Sequence, residues 1–249
     1  MSISTFAAKS YRDKAIVIRT HKLGEADRII TLLTRNNGLV RAVAKGVRRT
    51  KSKFGARLEP FMVIDVLLIK GRNLDIISQA DSLGAYTQLF ASDYDLYTIA
   101  TTMLETAERL TQDSIDTWQE YDLLVGAINA LNNQTDDPRL ILDAYLLRAI
   151  SQAGWTPSFI NCVKCGRAGL HESLSVPLGG ALCDECRVPG AIAPADESFL
   201  VLDGLLNSKW QIVRASTQIT RNEVHNIVIA YIQYHLEKTM KSIKYVEMP

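Results

Sequence analysis

The 249-residue sequence holds only four cysteines, seven prolines and 7% aromatic residues. It also lacks any apolar run near the roughly 18 residues that a membrane-spanning helix needs, since its most apolar strand-like stretch, residues 61–69, is interrupted by Asp65. Four cysteines are too few for a disulfide scaffold of this length. With 47% apolar and 22% charged residues, disordered and collagen-like chains are excluded. Residues 1–14 mix Ser, Lys and Arg without the apolar stretch of a secretory signal, so a cytoplasmic protein with reduced thiols is expected. No Gly-Lys-Ser/Thr phosphate loop is present, which removes support for nucleotide hydrolysis.

Acidic residues are scarce in one place. Residues 1–57 carry 14 Lys and Arg against only Asp13, Glu25 and Asp27, a local charge of +11. Residues 58–143 carry four basic groups against 15 acidic ones, or −11, and residues 144–249 carry ten against nine. The overall charge of +1 is therefore a sum over segments with different electrostatic roles. Such asymmetry points to a nucleic-acid-binding part followed by a part with other work.

The hydrophobic period changes along the chain. Residues 15–20, 28–34, 39–44, 61–69 and 74–78 are short β-rich runs separated by turn signals, among them Asn36-Asn37-Gly38 and Lys70-Gly71-Arg72-Asn73. Five short strands in some 65 residues predict a small barrel, OB-type first and SH3-like second. From about residue 82 the period becomes helical, with helices over 86–110, 115–132, 138–153, 197–206 and 221–241. Asp137-Pro138 is a capping acid before a proline at the first helical position, and Thr220-x-x-Glu223 has the form of a capping box. The chain reads as α+β, with a barrel domain over 1–81 and a helical domain over 82–249. Residues 155–195, which hold all four cysteines, four of the prolines and five of the fourteen glycines, form an insertion in it.

Cys162-x-x-Cys165 and Cys183-x-x-Cys186 lie 17 residues apart, the spacing of a four-thiolate zinc site. A redox pair would use one such motif at a helix start. Four thiolates fill a tetrahedral zinc, leaving no place for water or substrate, so one structural Zn2+ is expected. A zinc deaminase or nuclease would need an open metal and a His-x-Glu element; His171-Glu172 is contiguous and lacks it. His21, His225 and His235 are scattered and read as surface or packing residues.

Residues 45–57 carry six positive charges, Lys45, Arg48, Arg49, Lys51, Lys53 and Arg57, and no acid. Such a run alone is often a solvated loop. Here the excess extends through the strands, with Arg19, Arg28, Arg35 and Arg41 on or beside neighbouring ones, so that closing the barrel brings further charge onto the same side, and barrels of this kind bind single strands along one face. Phe54 and Tyr11 are the nearby rings, either base-stacking or core.

These motifs together resemble the bacterial RecO family. The resemblance is carried by residues 11–19, Gly24-Glu25-Ala26-Asp27-Arg28-Ile29-Ile30, Thr34 with Gly38-Leu39, and Ala44-Lys45-Gly46-Val47-Arg48-Arg49 up to Pro60. It resumes at Gly154-Trp155-Thr156-Pro157, Cys162-x-x-Cys165-Gly166 and Gly179-Gly180-Ala181-Leu182-Cys183-x-x-Cys186. It implies an OB barrel, a helical domain with a zinc module, and no catalytic turnover. It further implies binding to single- and double-stranded DNA, annealing of complementary strands, and cooperation with RecR in loading RecA onto strands coated by single-strand-binding protein, at the nucleoid. The basic stretch at residues 45–57 inherits the DNA-binding role. Ala15 stands where the family usually has Gly, a difference of strand packing, and some members lack the cysteines. A zinc-ribbon RNA-binding or transcription factor is the alternative. For the acidic tail of single-strand-binding protein, Arg148, Lys209, Arg214 and the lysines of residues 238–244 are the candidates.

Overall fold

The computed structural model describes residues 9–86, 90, 92–112, 114–236, 242 and 246. Its backbone groups into two compact units, Met1–Tyr94 with Ala107–Asn132, and Asp95–Thr106 with Asn133–Pro249.

The first unit holds five strands, β1 (Ser10–Leu23), β2 (Asp27–Thr34), β3 (Leu39–Ala44), β4 (Met62–Ile69) and β5 (Asp75–Ala85). They pair in the closed order β1-β2-β3-β5-β4, antiparallel throughout except for the short parallel β3–β5 junction. This is the Greek-key order of an OB barrel. β1 is much longer than its apolar core of residues 15–20 predicts, because one strand serves two neighbours. Ser10–Ile16 pair with β4, Ala15–Leu23 with β2, and the register shifts between Val17 and Arg19. A bulge at that point supplies the bend that barrel closure requires. Ala15, Val17, Ile30, Leu32, Ile64, Val66 and Leu68 fill the interior. Val47, Phe54 and Leu58, from the long β3–β4 connection, join the same core. Phe54 is 2% exposed, so it is core and has no face for a base.

The β2–β3 turn is fixed from two directions. Asp13, buried in β1, accepts from the Asn36 amide at 3.1 Å and from the side chains of Asn36 and Asn37 at 2.8 and 2.7 Å. Thr34 Oγ1 donates to the Gly38 carbonyl at 2.8 Å and accepts from the Asn37 amide at 3.0 Å. Gly38 itself has φ +68°, and a Cβ there would come within 2.4 Å of the Ser114 carbonyl oxygen. In this unit also lies α2 (Trp118–Asn132), preceded by Thr117, whose hydroxyl donates to the Thr34 carbonyl at 2.7 Å.

The second unit includes the Asp95–Thr106 part of α1 (Tyr94–Leu110), then α3 (Pro138–Gln152), α4 (Asp196–Leu206), α5 (Trp210–Ala215) and α6 (Gln218–Leu236). α3 is apolar on nearly every side and buries ten consecutive or near-consecutive residues from Leu140 to Ile150 against α6 and α4. Asp137 caps it by accepting from the Arg139 amide at 2.9 Å. Thr220 and Glu223 do not form a capping box, because α6 starts earlier. Thr217 accepts from the Thr220 amide, while Glu223 accepts from the Ala195 amide and the Ser198 hydroxyl at the start of α4. Asp143 on α3 meets His225 on α6 at 2.8 Å, both side chains buried, and burial pushes the Asp143 carboxyl up. His225 is thus a packing residue. α5 was not foreseen; six residues are too few to show a helical period.

Two glycines give a test of the barrel. Gly24 also has a left-handed φ (+56°), yet a Cβ there would meet nothing within 4 Å. Gly24→Ala should therefore cost only the backbone strain, about 1 kcal/mol, whereas Gly38→Ala adds a clash with a backbone oxygen and should cost about 3 kcal/mol. Urea melts of the two variants measure the difference; equal costs would contradict the fixed-turn reading.

Candidate nucleic-acid interface and metal centre

The β3–β4 connection begins with the turn Lys45–Arg48 and ends in a short 3-10 turn at Gly55–Leu58. Within it Val47, Phe54 and Leu58 are buried and the six cations are all exposed. Three of those cations are anchored, each to a carbonyl. Arg48 donates to the carbonyls of Gly24 and Glu25 at 3.2 and 2.9 Å, Lys53 to that of Ser78 at 2.7 Å, and Arg57 to that of Lys53 at 3.0 Å. A carbonyl positions a cation without cancelling its charge. Lys45, Arg49 and Lys51 extend from the same loop. None of the six has a carboxylate within ion-pair distance among the described residues.

The other arginines of the barrel differ. Arg12 pairs with Asp65 and Asp81, Arg28 with Glu59, and Arg35 with both oxygens of Asp122 at 3.0 and 2.8 Å. Arg19 is placed against Glu108. The hydrogen bond to Asp122 draws the Arg35 guanidinium above its ordinary range, and Arg35 in turn draws Asp122 below the usual carboxylate range. Four of the fourteen cations of residues 1–57 are thus locally neutralised. Among the described residues, those without a carboxylate partner are the six of residues 45–57, Arg41, and the lysines Lys9, Lys14 and Lys22. Sequence reasoning did not foresee that Lys9, Lys70 and Arg72 line one groove with Arg41. The turn Lys70-Gly71-Arg72 was the available signal.

The two Cys-x-x-Cys elements are tight turns. Gly166, at φ +75°, donates to the Cys162 carbonyl at 2.8 Å, and the Cys186 amide donates to that of Cys183 at 3.0 Å. The hairpin β6 (Ser173–Ser175) and β7 (Gly180–Leu182) lies between them in sequence, and the Val163 amide donates to the Ala181 carbonyl at 2.9 Å. All four sulfurs lie within 4.8 Å of one another, with Cys165 Sγ and Cys183 Sγ 3.7 Å apart. Tetrahedral Zn–S bonds of about 2.3 Å place sulfurs about 3.8 Å apart, so the donor set is close enough to bind a metal ion and suits zinc. A disulfide would need about 2.05 Å.

Proton affinities within the cluster are spread. Burial works to raise Cys162, but the amides of Cys183, Cys165 and Lys164 draw it down to about 6. The hydrogen bond with Cys183, with burial added, pushes Cys186 up to about 12. The backbone favours the Cys162 thiolate while burial and the neighbouring thiols push Cys183 and Cys186 up, because adjacent negative charges need a cation. The module's own core is Leu182 between Cys162 and Cys183, with Val163, Cys186, Val188 and Ala191 beside it. Two of its three fully buried members are the candidate ligands. His171 is buried with Nε2 2.9 Å from the Arg167 carbonyl and lies outside the thiol cluster.

The three cations considered for the acidic-tail contact are engaged. Arg148 donates twice to the Leu205 carbonyl, at 2.9 and 2.6 Å, Lys209 pairs with Asp203 and Arg214 with Asp136. Lys238, Lys241 and Lys244 lie outside the described residues. Among the described residues, no helix is long and apolar enough to cross a membrane.

Residues 8–86 match the family model "Recombination protein O N terminal", and residues 91–244 match "Recombination protein O C terminal". The chain is 49% identical over 241 residues to DNA repair protein RecO of Nocardioides sp., covering 95% of this chain and 99% of that one. It is 47% identical to the proteins of the same name from Thermobifida fusca, over 238 residues, and Streptomyces avermitilis, over 244. In each case 95% of this chain and 98% of the relative are covered. With both halves matched in order and a zinc-compatible thiol cluster in the second, the chain belongs to the RecO family.

Proposed function

We propose that this chain is a DNA-binding recombination mediator acting in DNA repair in the cytoplasm, at the nucleoid. In this reading it binds single- and double-stranded DNA through the barrel and anneals complementary strands. With RecR, it helps to load RecA onto strands coated by single-strand-binding protein. It works by binding, without chemical turnover. The supporting observation is the contrast between the barrel's ion-paired arginines and the six exposed cations of residues 45–57, which have no carboxylate partner among the described residues. Two phosphate backbones repel until cations neutralise both, and a loop whose charge is unspent can do so. Lys45, Arg48, Arg49, Lys51, Lys53 and Arg57 are the proposed contacts, with Arg41 beside them. Arg19 would have to leave Glu108 to take part. The DNA-binding domain in this reading, expected over residues 1–81, runs on to the end of β5 at Ala85, and the helical remainder of 82–249 meets protein partners.

Cys162, Cys165, Cys183 and Cys186 are the proposed ligands of one structural zinc. Its role is to supply the cohesion that a core of one leucine and two cysteines cannot. Binding releases the protons the thiols hold.

Six phosphate contacts to a single strand give a slope of log K on log salt of about −4, a loss of roughly 300-fold between 50 and 200 mM. Replacing Lys45, Arg49 and Lys51 by alanine removes charge while leaving every anchoring bond of the loop. The slope should fall to about −2 and the loss to roughly 20-fold, with annealing of complementary oligonucleotides slowed in parallel. Annealing at the wild-type rate would move the DNA site elsewhere, and no annealing by the wild-type protein would favour the zinc-ribbon alternative. Stripping the metal with a strong chelator should open residues 160–190 to protease while the barrel stays resistant; an unchanged digestion pattern would contradict the structural zinc.

A further inference from the structure

All four cysteines of the chain lie in the thiol cluster, and they differ in access. Cys162 and Cys183 are 2% and 3% exposed, Cys186 is half-buried and Cys165 is exposed. Cys165 is therefore the sulfur that a reagent from solvent meets first. It stands 3.7 Å from the sulfur of Cys183, which belongs to the other turn. Contacts that need no metal hold the two turns beside each other. The Val163 amide donates to the Ala181 carbonyl at 2.9 Å, and Arg167 pairs with Asp184 at 2.9 Å and with Glu185 at 2.8 Å. Closing 3.7 Å to the roughly 2.05 Å of a disulfide is thus a matter of side-chain rotation while the turns stay in place.

An exposed sulfur beside a shielded partner is the arrangement of a peroxide-reactive pair, in which the first is oxidised and the second resolves it. A buried pair would be out of the oxidant's reach, and an exposed thiol alone would have nothing to resolve it. We propose that Cys165 and Cys183 form a redox pair that hydrogen peroxide converts to a disulfide, with loss of the metal from the module. This rests on the assignment of the four thiolates as zinc ligands and goes beyond it by giving two of them a second chemistry. First, the Cys165 thiolate attacks one peroxide oxygen; an S–O bond forms, the O–O bond breaks, and the departing hydroxide takes a proton from solvent to become water. The Cys183 thiolate then attacks the Cys165 sulfur; an S–S bond forms, the S–O bond breaks, and a second hydroxide leaves and is protonated. Two thiolates have given two electrons to peroxide, which ends as two waters. Half of the four-sulfur donor set has lost its charge, and Cys162 with Cys186 does not complete a tetrahedral site. A thiol reductant reverses the bond and returns both sulfurs to the donor set.

The test treats the full chain, as purified, with stoichiometric hydrogen peroxide. Released zinc is read with a metallochromic dye, free thiols are counted after denaturation, and the linkage is mapped by mass spectrometry of proteolytic peptides. The expected result is loss of two of the four thiols, release of the bound zinc, a Cys165–Cys183 linkage, and recovery of all four thiols with dithiothreitol. Retention of all four thiols in peroxide would overturn the pair, and so would linkage confined to Cys162–Cys165 and Cys183–Cys186. The zinc assignment fails separately: a protein that carries no zinc yet forms the Cys165–Cys183 bond would uphold the redox pair and sink the metal site.

Discussion

The burial of Val47, Phe54 and Leu58 under the barrel strands is the contact on which the basic surface depends. Each such side chain contributes about 1.5–3 kcal/mol when removed from water. Thirteen residues with six like charges would otherwise be a self-repelling, solvated loop. Pinning the chain at its start, middle and end leaves the cations nowhere to go but outward, and the carbonyls of Gly24, Glu25 and Ser78 then hold two of them in place. The loop is organised by apolar contacts and neutral acceptors. Its charge is left for an outside partner.

The remaining electrostatics follow the opposite rule. Arg12, Arg28 and Arg35 are matched to carboxylates, and each exposed pair is worth little to stability, on the order of 0–1 kcal/mol. Their effect is to remove positive charge from parts of the barrel outside residues 45–57. Selective neutralisation gives the basic surface its edges.

The sequence was most informative where one residue type has one structural use. Two Cys-x-x-Cys turns, Asp137 before Pro138, and the β-rich run of β3 each appear as expected, since a thiol turn, a cap and a short strand are local features. Long-range pairing was not legible. The full length of β1 follows from its two partners and the bulge after Val17, which no alternation of side chains records. Glu223 sits three residues after Thr220, yet its carboxylate is used by Ala195 and Ser198, a contact 25 and more residues away. For the binding surface, counting charges located the basic segment but not which charges were free. Glu108 and Asp122 are more than 85 residues distant in sequence from the arginines they neutralise.

The zinc module and the barrel reach stability by different routes. The barrel closes its strand edges and fills its interior; the module has almost no interior and gathers donors instead. Four thiolates are the full donor set of a tetrahedral zinc. Hydrogen–deuterium exchange with and without a bound single strand tests the placement of the DNA most directly. Slowed exchange in peptides covering residues 39–57, with the zinc module unchanged, is the expected pattern. Slowing confined to residues 155–195, with none along β3 and its loop, would contradict it.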